Sequence, residues 1–286
     1  MKLFCKCFRE NLSSPLLYAA AVLFTVLCGF GVTVVIKEET YSFFEIIFNS
    51  ELFAIAKENI QCSSYIMAYN FSMSTWYIIG LSVIAAVPPL FIYINSIEKI
   101  RTFALIRSNY KVYSAGIILS SFFSGMIITL AGILLYIAAA YLVLPSFESF
   151  SDPNYMRIYG AAVSDRLFPL LKKIFNHAFV GGIISVFSIV LYRFIQSDFP
   201  AATIPMMLMY ISVKIHPVYI EWFSSDEMRA QNTFLNVMAM SFPSSLTDLG
   251  RSLELSLKAP FWLAYIILSA LLFGMYLLFC KSIRKV

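Results

Sequence analysis

Charge is what this chain has least of. Only 13% of its 286 residues are Asp, Glu, Lys or Arg, against ~25% in an ordinary soluble domain. Another 60% are hydrophobic. Water could not solvate a surface built from that mixture, so lipid must be the solvent for much of it. Acids are scarcest where they would count most. No Asp or Glu falls within any of the six long apolar runs delimited below. A proton- or sodium-driven carrier usually keeps an acid at mid-membrane, so this gap argues against ion-coupled transport and against a proton relay.

Other absences narrow the chemistry further. There are two histidines, His177 and His216, far apart and in no metal-ligand spacing. Each lies near the expected end of an apolar run and reads as an interfacial histidine. The five cysteines form no disulfide framework, and Cys5-x-Cys7 lacks a second Cys or His pair for zinc. No small-residue cleavage pattern follows the first apolar run. Neither a Gly-x4-Gly-Lys-Ser/Thr phosphate loop nor a Gly-x-Ser-Gly serine site is found. Glu38-Glu39 lie just outside the first run, without the basic and His partners an intramembrane protease would need. Catalytic, cofactor-binding and metal-binding sets are therefore all expected to be none, and an intramembrane enzyme is disfavoured.

What the chain has in quantity is spanning-length apolar sequence. A span needs about 20 such residues. Six segments qualify, at about 15–36, 73–95, 113–144, 173–194, 199–217 and 260–280. Pro15 after Ser13-Ser14 is a natural helix start. Pro88-Pro89 should kink or break the second helix near its end. The third run is longer than a ~30 Å core requires, so it should tilt or protrude. The fifth is the weakest, carrying Pro200, Pro205, Lys214 and His216. Lys172, Lys173, Arg193 and Lys214 sit near span ends, where long basic side chains can reach water.

Basic residues set the orientation. With the N-terminus inside, the cytosolic segments take 11 of the 21 Lys and Arg but only three of the 16 acids. The inner side is then +8 and the outer side −3, which returns the net charge of +5. The basic excess reads as a topology signal, with no nucleic acid as partner. The expected fold class is an all-α polytopic membrane protein. It is a single transmembrane domain over 1–286, with six transmembrane helices and N- and C-termini cytosolic. The expected place is the cell (plasma) membrane, with membrane lipid as a partner.

Three outer segments follow, near 37–72, 145–172 and 218–259. The last contains a seven-residue apolar stretch, Phe234 to Met240, too short to span. A re-entrant helix and a small outer cap both fit it. At the N-terminus, Leu3, Phe4, Cys7, Phe8 and Asn11 or Leu12 fall at helical spacing opposite Lys2, Lys6, Arg9 and Glu10. That pattern is a short amphipathic helix suited to the inner membrane surface. Small residues line one face of the third run: Ser114, Ser121, Gly125, Thr129 and Gly132. Such a stripe lets another backbone approach closely. Ser121, Gly125 and Thr129 are read as helix packing first and as a cargo path second. Gly181-Gly182 reads the same way.

The loop between the second and third runs, Asn95 to Lys111, contains no Gly or Pro. Ile97, Ile100, Arg101, Ala104, Leu105 and Ser108 share one helical face. A charged cytosolic helix suits docking of a soluble protein, and contact with lipid headgroups alone is the simpler reading. Glu98, Thr102, Leu105, Ser108 and Lys111 occur in the order of the same loop in type-2 ABC exporter permeases, which the segment resembles. That class includes G-type transporters and polysaccharide exporters. Arg101 stands where the family commonly has Gly, and Asn109 where it has Pro. The wider layout is also similar, with its amphipathic N-terminal helix, six spans and long last outer segment.

The resemblance implies a transmembrane subunit working with a second permease copy or paralogue and with ATP-binding cassette ATPase subunits. Glu98, Arg101, Thr102 and Arg107 would form a coupling helix against the ATPase. This chain would hold no cofactor, because ATP and Mg would sit on the partner subunit. An apolar or amphipathic cargo, such as a peptide, lipid-linked molecule or drug, would move outward. The alternative is a non-transporting six-span protein such as a bacteriocin-immunity or assembly factor.

Overall fold

The computed structural model describes residues 2–36, 39–72, 74–101, 105, 109–146, 167–223, 237–238, 240 and 242–284. It is an almost entirely helical membrane protein. Among the described residues, four helices are each long and apolar enough to cross a membrane: Trp76–Ile97, Tyr110–Val143, Leu167–Ile195 and Trp262–Arg284. A bent pair of helices over Leu3–Ser13 and Pro15–Gly31, inclined by 59°, makes a fifth if the pair counts as one span.

The bent pair consists of α1 (Lys2–Ser13) and α2 (Pro15–Gly31). Pro15 occupies the first turn of α2, where its missing N–H costs nothing. α2 stops at Gly31, short of the expected residue 36. The chain turns instead into β1 (Thr33–Ile36), which pairs antiparallel with β2 (Glu39–Ser42). Val32 to Ile36 is a run of five β-branched residues, stiff at χ1 and better suited to a strand. The hairpin is thus a small departure from an all-α fold. α3 (Phe43–Phe48) follows directly, started by a reciprocal cap between Ser42 and Glu45. α4 (Ser50–Ala56) and α5 (Ser64–Tyr69) complete this segment.

α6 (Thr75–Ile92) is capped by the Ser74 hydroxyl, which accepts from Trp76 N–H at 3.0 Å. It continues through Pro88-Pro89 without breaking. The disturbance appears beyond them, where Tyr93–Ile97 widen into a π-helical turn and Glu98–Ile100 tighten into a 3₁₀ turn. α7 (Tyr110–Val143) is capped by Asn109. Its 34 residues make a rod of about 51 Å. α8 (Leu167–Ile195) and α9 (Asp198–Phe223) are joined by a two-residue turn. α9 is long but is not among the four spanning candidates, since Asp198, Lys214, His216 and three prolines dilute its apolar sequence. A 3₁₀ segment (Pro243–Asp248), α10 (Leu249–Leu257) and α11 (Trp262–Arg284) end the described chain.

α7 and α8 form the closest pair. A Cβ on Gly125 would lie 2.6 Å from the Ser185 Cβ and 2.7 Å from the Gly181 carbonyl oxygen. A Cβ on Gly181 would in turn overlap the Thr129 hydroxyl. Ser185 donates to the Ser121 carbonyl at 2.9 Å across the same seam. Ser121 and Thr129 are each 1% exposed, so the stripe is a buried packing surface between two helices.

α1 does not keep its apolar face for lipid. Leu3 covers Gly116 of α7. Phe4 and Phe8 both set their rings edge-on to Phe123. Asn11, buried, donates to the Ser120 carbonyl. The helix expected to be amphipathic and to lie on the inner membrane surface packs along α7.

Candidate functional site

The described residues carry two polar clusters, at opposite ends of α8. The first surrounds Glu98. Its Oε1 accepts from Arg101 Nη1 at 2.7 Å and from Arg193 Nη1 at 2.8 Å. Its Oε2 accepts from the Tyr93 hydroxyl at 2.6 Å. The widened turn after α6 sets this up, because it brings Tyr93 and Glu98 to the same side of the chain. Tyr93 is itself fixed between the rings of Tyr192 on α8 and Phe279 on α11. One carboxylate therefore links the end of α6 to the end of α8, at a position where α11 also packs.

Arg193 does not reach out to water, as its place near a helix end suggested. Its side chain is only 4% exposed. The pull of Glu98 explains this, since a buried guanidinium is tolerable only when paired. Glu98 and Arg101, read from the sequence as contacts for a partner protein, are thus engaged within the chain. Both remain about one-fifth exposed, at 22% and 23%. Thr102 and Arg107 lie outside the described residues. Leu105 packs against the core.

The second cluster holds the segment 242–248 between α8 and α9. Asn176 of α8 donates to the carbonyls of Leu246 and Thr247. Ser212 of α9 accepts from Ser244 N–H at 2.9 Å and shares a 2.7 Å bond with its hydroxyl. Thr247 closes the turn on the Ser244 carbonyl at 2.8 Å. His216 stacks near Phe242 and approaches the Ser245 hydroxyl. Ser244, Ser245 and Thr247 are all buried by these contacts.

His177 lies beside this segment and is fully buried, which corrects the expectation of an interfacial histidine. Its Nδ1 is 3.1 Å from the Tyr77 hydroxyl. The Phe71 ring meets it edge-on. Lys172 and Lys173, expected to reach water, are likewise engaged. Lys172 pairs with Glu254 at 2.9 Å, and Lys173 donates to the Tyr69 carbonyl at 2.7 Å. A cavity of about 270 Å³ opens between these lysines, α10 and the start of α11.

Tyr93 and Asn176 were not singled out from the sequence, and Arg193 was read there only as a basic residue reaching water from a span end. The signal for Arg193 was present, as a lone cation at the end of an apolar helix with an acid on another segment. Among the described residues no group of three or more His, Cys, Asp or Glu could hold a metal ion. Comparison of the chain with protein-family models, curated proteins and solved structures finds no match.

Proposed function

We propose that this chain is the membrane-spanning permease subunit of an ATP-driven exporter of the type-2 ABC class. In this reading it crosses the cell membrane six times, with both termini in the cytosol. α2 makes the first span, with α1 as the amphipathic helix that precedes it, α9 makes the fifth, and the four longer apolar helices supply the rest. The short inner segments, dense in Lys and Arg with 11 basic residues against three acids, support that orientation. The segment 242–248 is then a re-entrant turn at the outer end of the bundle.

The observation that carries the reading is the ion pair between Glu98 and Arg193. A helix that receives force from a soluble partner must pass it to the spans. Glu98 sits at the start of that loop and grips α8 by a buried cation. α8 in turn holds the outer segment through Asn176 and Lys172. A displacement of the loop therefore has a stiff path across the membrane. Glu98 serves as the internal link, while Arg101, Thr102 and Arg107 meet the ATPase. ATP and Mg are held by that partner, and this chain supplies no catalytic group. A second copy or paralogue of the permease completes the cargo path. The buried Ser121, Gly125 and Thr129 stay in the α7–α8 seam. The cargo is apolar or amphipathic.

Co-purification of the tagged chain in mild detergent tests the proposal. A stoichiometric ATP-binding cassette subunit is the expected companion. Recovery of the chain without one, while the bundle remains folded, overturns it and favours a non-transporting protein.

A further inference from the structure

α7 and α11 flank an apolar groove to which the transport reading assigns no role. Ala115, Ile118 and Leu119 of α7 form one wall, and Leu272, Phe273 and Tyr276 of α11 form the other. Its volume is about 310 Å³, near the lower end of ligand-pocket sizes. Leu119 and Phe273 are 41% and 60% exposed, so the groove opens away from the core of the bundle. Both helices are long and apolar enough to cross a membrane, which makes acyl chain, rather than water, the medium it faces.

The surroundings change at one end of the groove. Lys111 stands one turn before Ala115 on the same face of α7, and Arg284 stands about two turns beyond Tyr276 on α11. The Arg284 guanidinium lies 5.8 Å from the centre of the Tyr110 ring, so these two helix ends meet. Lys281 belongs to the same last turn of α11, and all three cations are exposed. Neither α7 nor α11 contains an acid. Lys111, Lys281 and Arg284 make no ion pair among the described residues. Membrane topology accounts for the sign of these charges. It does not account for their convergence where an apolar groove meets the water boundary.

We propose that this groove binds one anionic phospholipid, with an acyl chain between α7 and α11 and the phosphate at Lys111 and Arg284. Basic pockets between spans select anionic headgroups through the attraction that each cation adds near the membrane surface. The Arg284 fork also suits two oxygens of one phosphate. A zwitterionic lipid brings an ammonium of its own, which three unpaired cations repel. A neutral chain fills the groove and leaves those cations unanswered. The inference requires α7 and α11 to cross a membrane and nothing else of the transport reading, so it survives if no ATPase companion is found.

The experiment is thermal unfolding of the delipidated full chain in detergent. It is titrated with phosphatidylglycerol, with phosphatidylcholine of equal chain length and with glycerophosphoglycerol, the same headgroup without its chains. Binding to the folded state raises the midpoint in a saturable way. The expected result is a rise of several degrees with phosphatidylglycerol and little with the other two. Lys111→Ala and Arg284→Ala should each increase the half-saturating concentration about fivefold, and the double variant should lose the preference for phosphatidylglycerol. Ser269 is an exposed residue lining the groove, and Ser269→Phe should abolish the rise by filling the space while all three cations stay in place. Each variant is referred to its own lipid-free midpoint, and if one folds poorly the others still decide. Equal response to phosphatidylcholine or to the headgroup alone overturns the proposal. So does an undiminished response in the Lys111→Ala/Arg284→Ala variant. An undiminished response in Ser269→Phe would reduce the effect to adsorption by surface charge and overturn it as well.

Discussion

The carboxylate of Glu98 lies 2.8 Å from the guanidinium of Arg193, 95 positions further along the chain. Neither residue alone would be stable where it stands. Together with Arg101 and Tyr93 they turn a helix end into a fixed joint.

Removing one side of that joint should be costly. Glu98→Ala leaves Arg193 buried with no carboxylate, for which about 3–5 kcal/mol is expected. Glu98→Gln should cost less, because the amide oxygen can still accept one of the donors. The exchange Glu98→Arg with Arg193→Glu should recover part of the loss. Unfolding midpoints in detergent measure all three. Equal stability of Glu98→Ala and the parent would show that the pair contributes nothing.

The α7–α8 seam makes a prediction of opposite kind, about space. A Cβ at Gly181 or Gly125 meets backbone and the first atoms of short side chains, which cannot swing away. Gly181→Val should destabilise by at least about 1–3 kcal/mol and push the helices apart. At Gly274 an added Cβ meets nothing within 4 Å. Gly274→Ala should therefore be neutral or stabilising, by up to about 1 kcal/mol, because alanine is the better helix former. Parallel melts of the two variants decide it.

Much of this architecture was legible in the sequence, and the exceptions share a cause. Hydropathy located α6, α7, α8 and α11, because lipid demands long apolar runs whatever the partners. Ser74 and Asn109 cap helices by local bonds, so a local reading can find such starts. Hydropathy could not separate α2 from β1, since Val34, Val35 and Ile36 are as apolar as the helix before them. Arg193 and His177 were misread because their burial depends on Glu98 and Tyr77, each about a hundred positions away. Phe4 and Phe8 looked ready for lipid because nothing in their own segment names Phe123 as the alternative. Spacing reveals that a face is apolar and is silent on what covers it.

Thiol accessibility tests the proposed orientation. Cys5 is exposed on α1, while Cys62 is buried in the hairpin-containing segment. Burial pushes the Cys62 thiol up to about 11, so at neutral pH almost none of it is the reactive thiolate. A membrane-impermeant maleimide should label Cys5 only after the cells are opened. Cys62 should resist labelling in intact cells, with the rate rising as pH climbs toward 11 or when the segment is unfolded. Labelling of Cys5 in sealed cells would invert the topology.

The last prediction concerns the segment 242–248. Its backbone is held chiefly by side chains from two other helices, so its order should depend on them. Asn176→Leu preserves bulk but removes both donors to the Leu246 and Thr247 carbonyls. Buried carbonyls left without donors cost about 1–3 kcal/mol. That penalty falls on a short 3₁₀ turn with few other anchors, so local opening should be favoured over global unfolding. Amide exchange at 243–248 should then accelerate by ten- to a hundredfold, while exchange in the middle of α7 stays unchanged. Ser212→Ala removes a different anchor of the same turn and should give a smaller acceleration of the same amides. If α7 exchanged faster in step with 243–248, the segment would be part of one cooperative bundle, and it could not move independently at the end of α8.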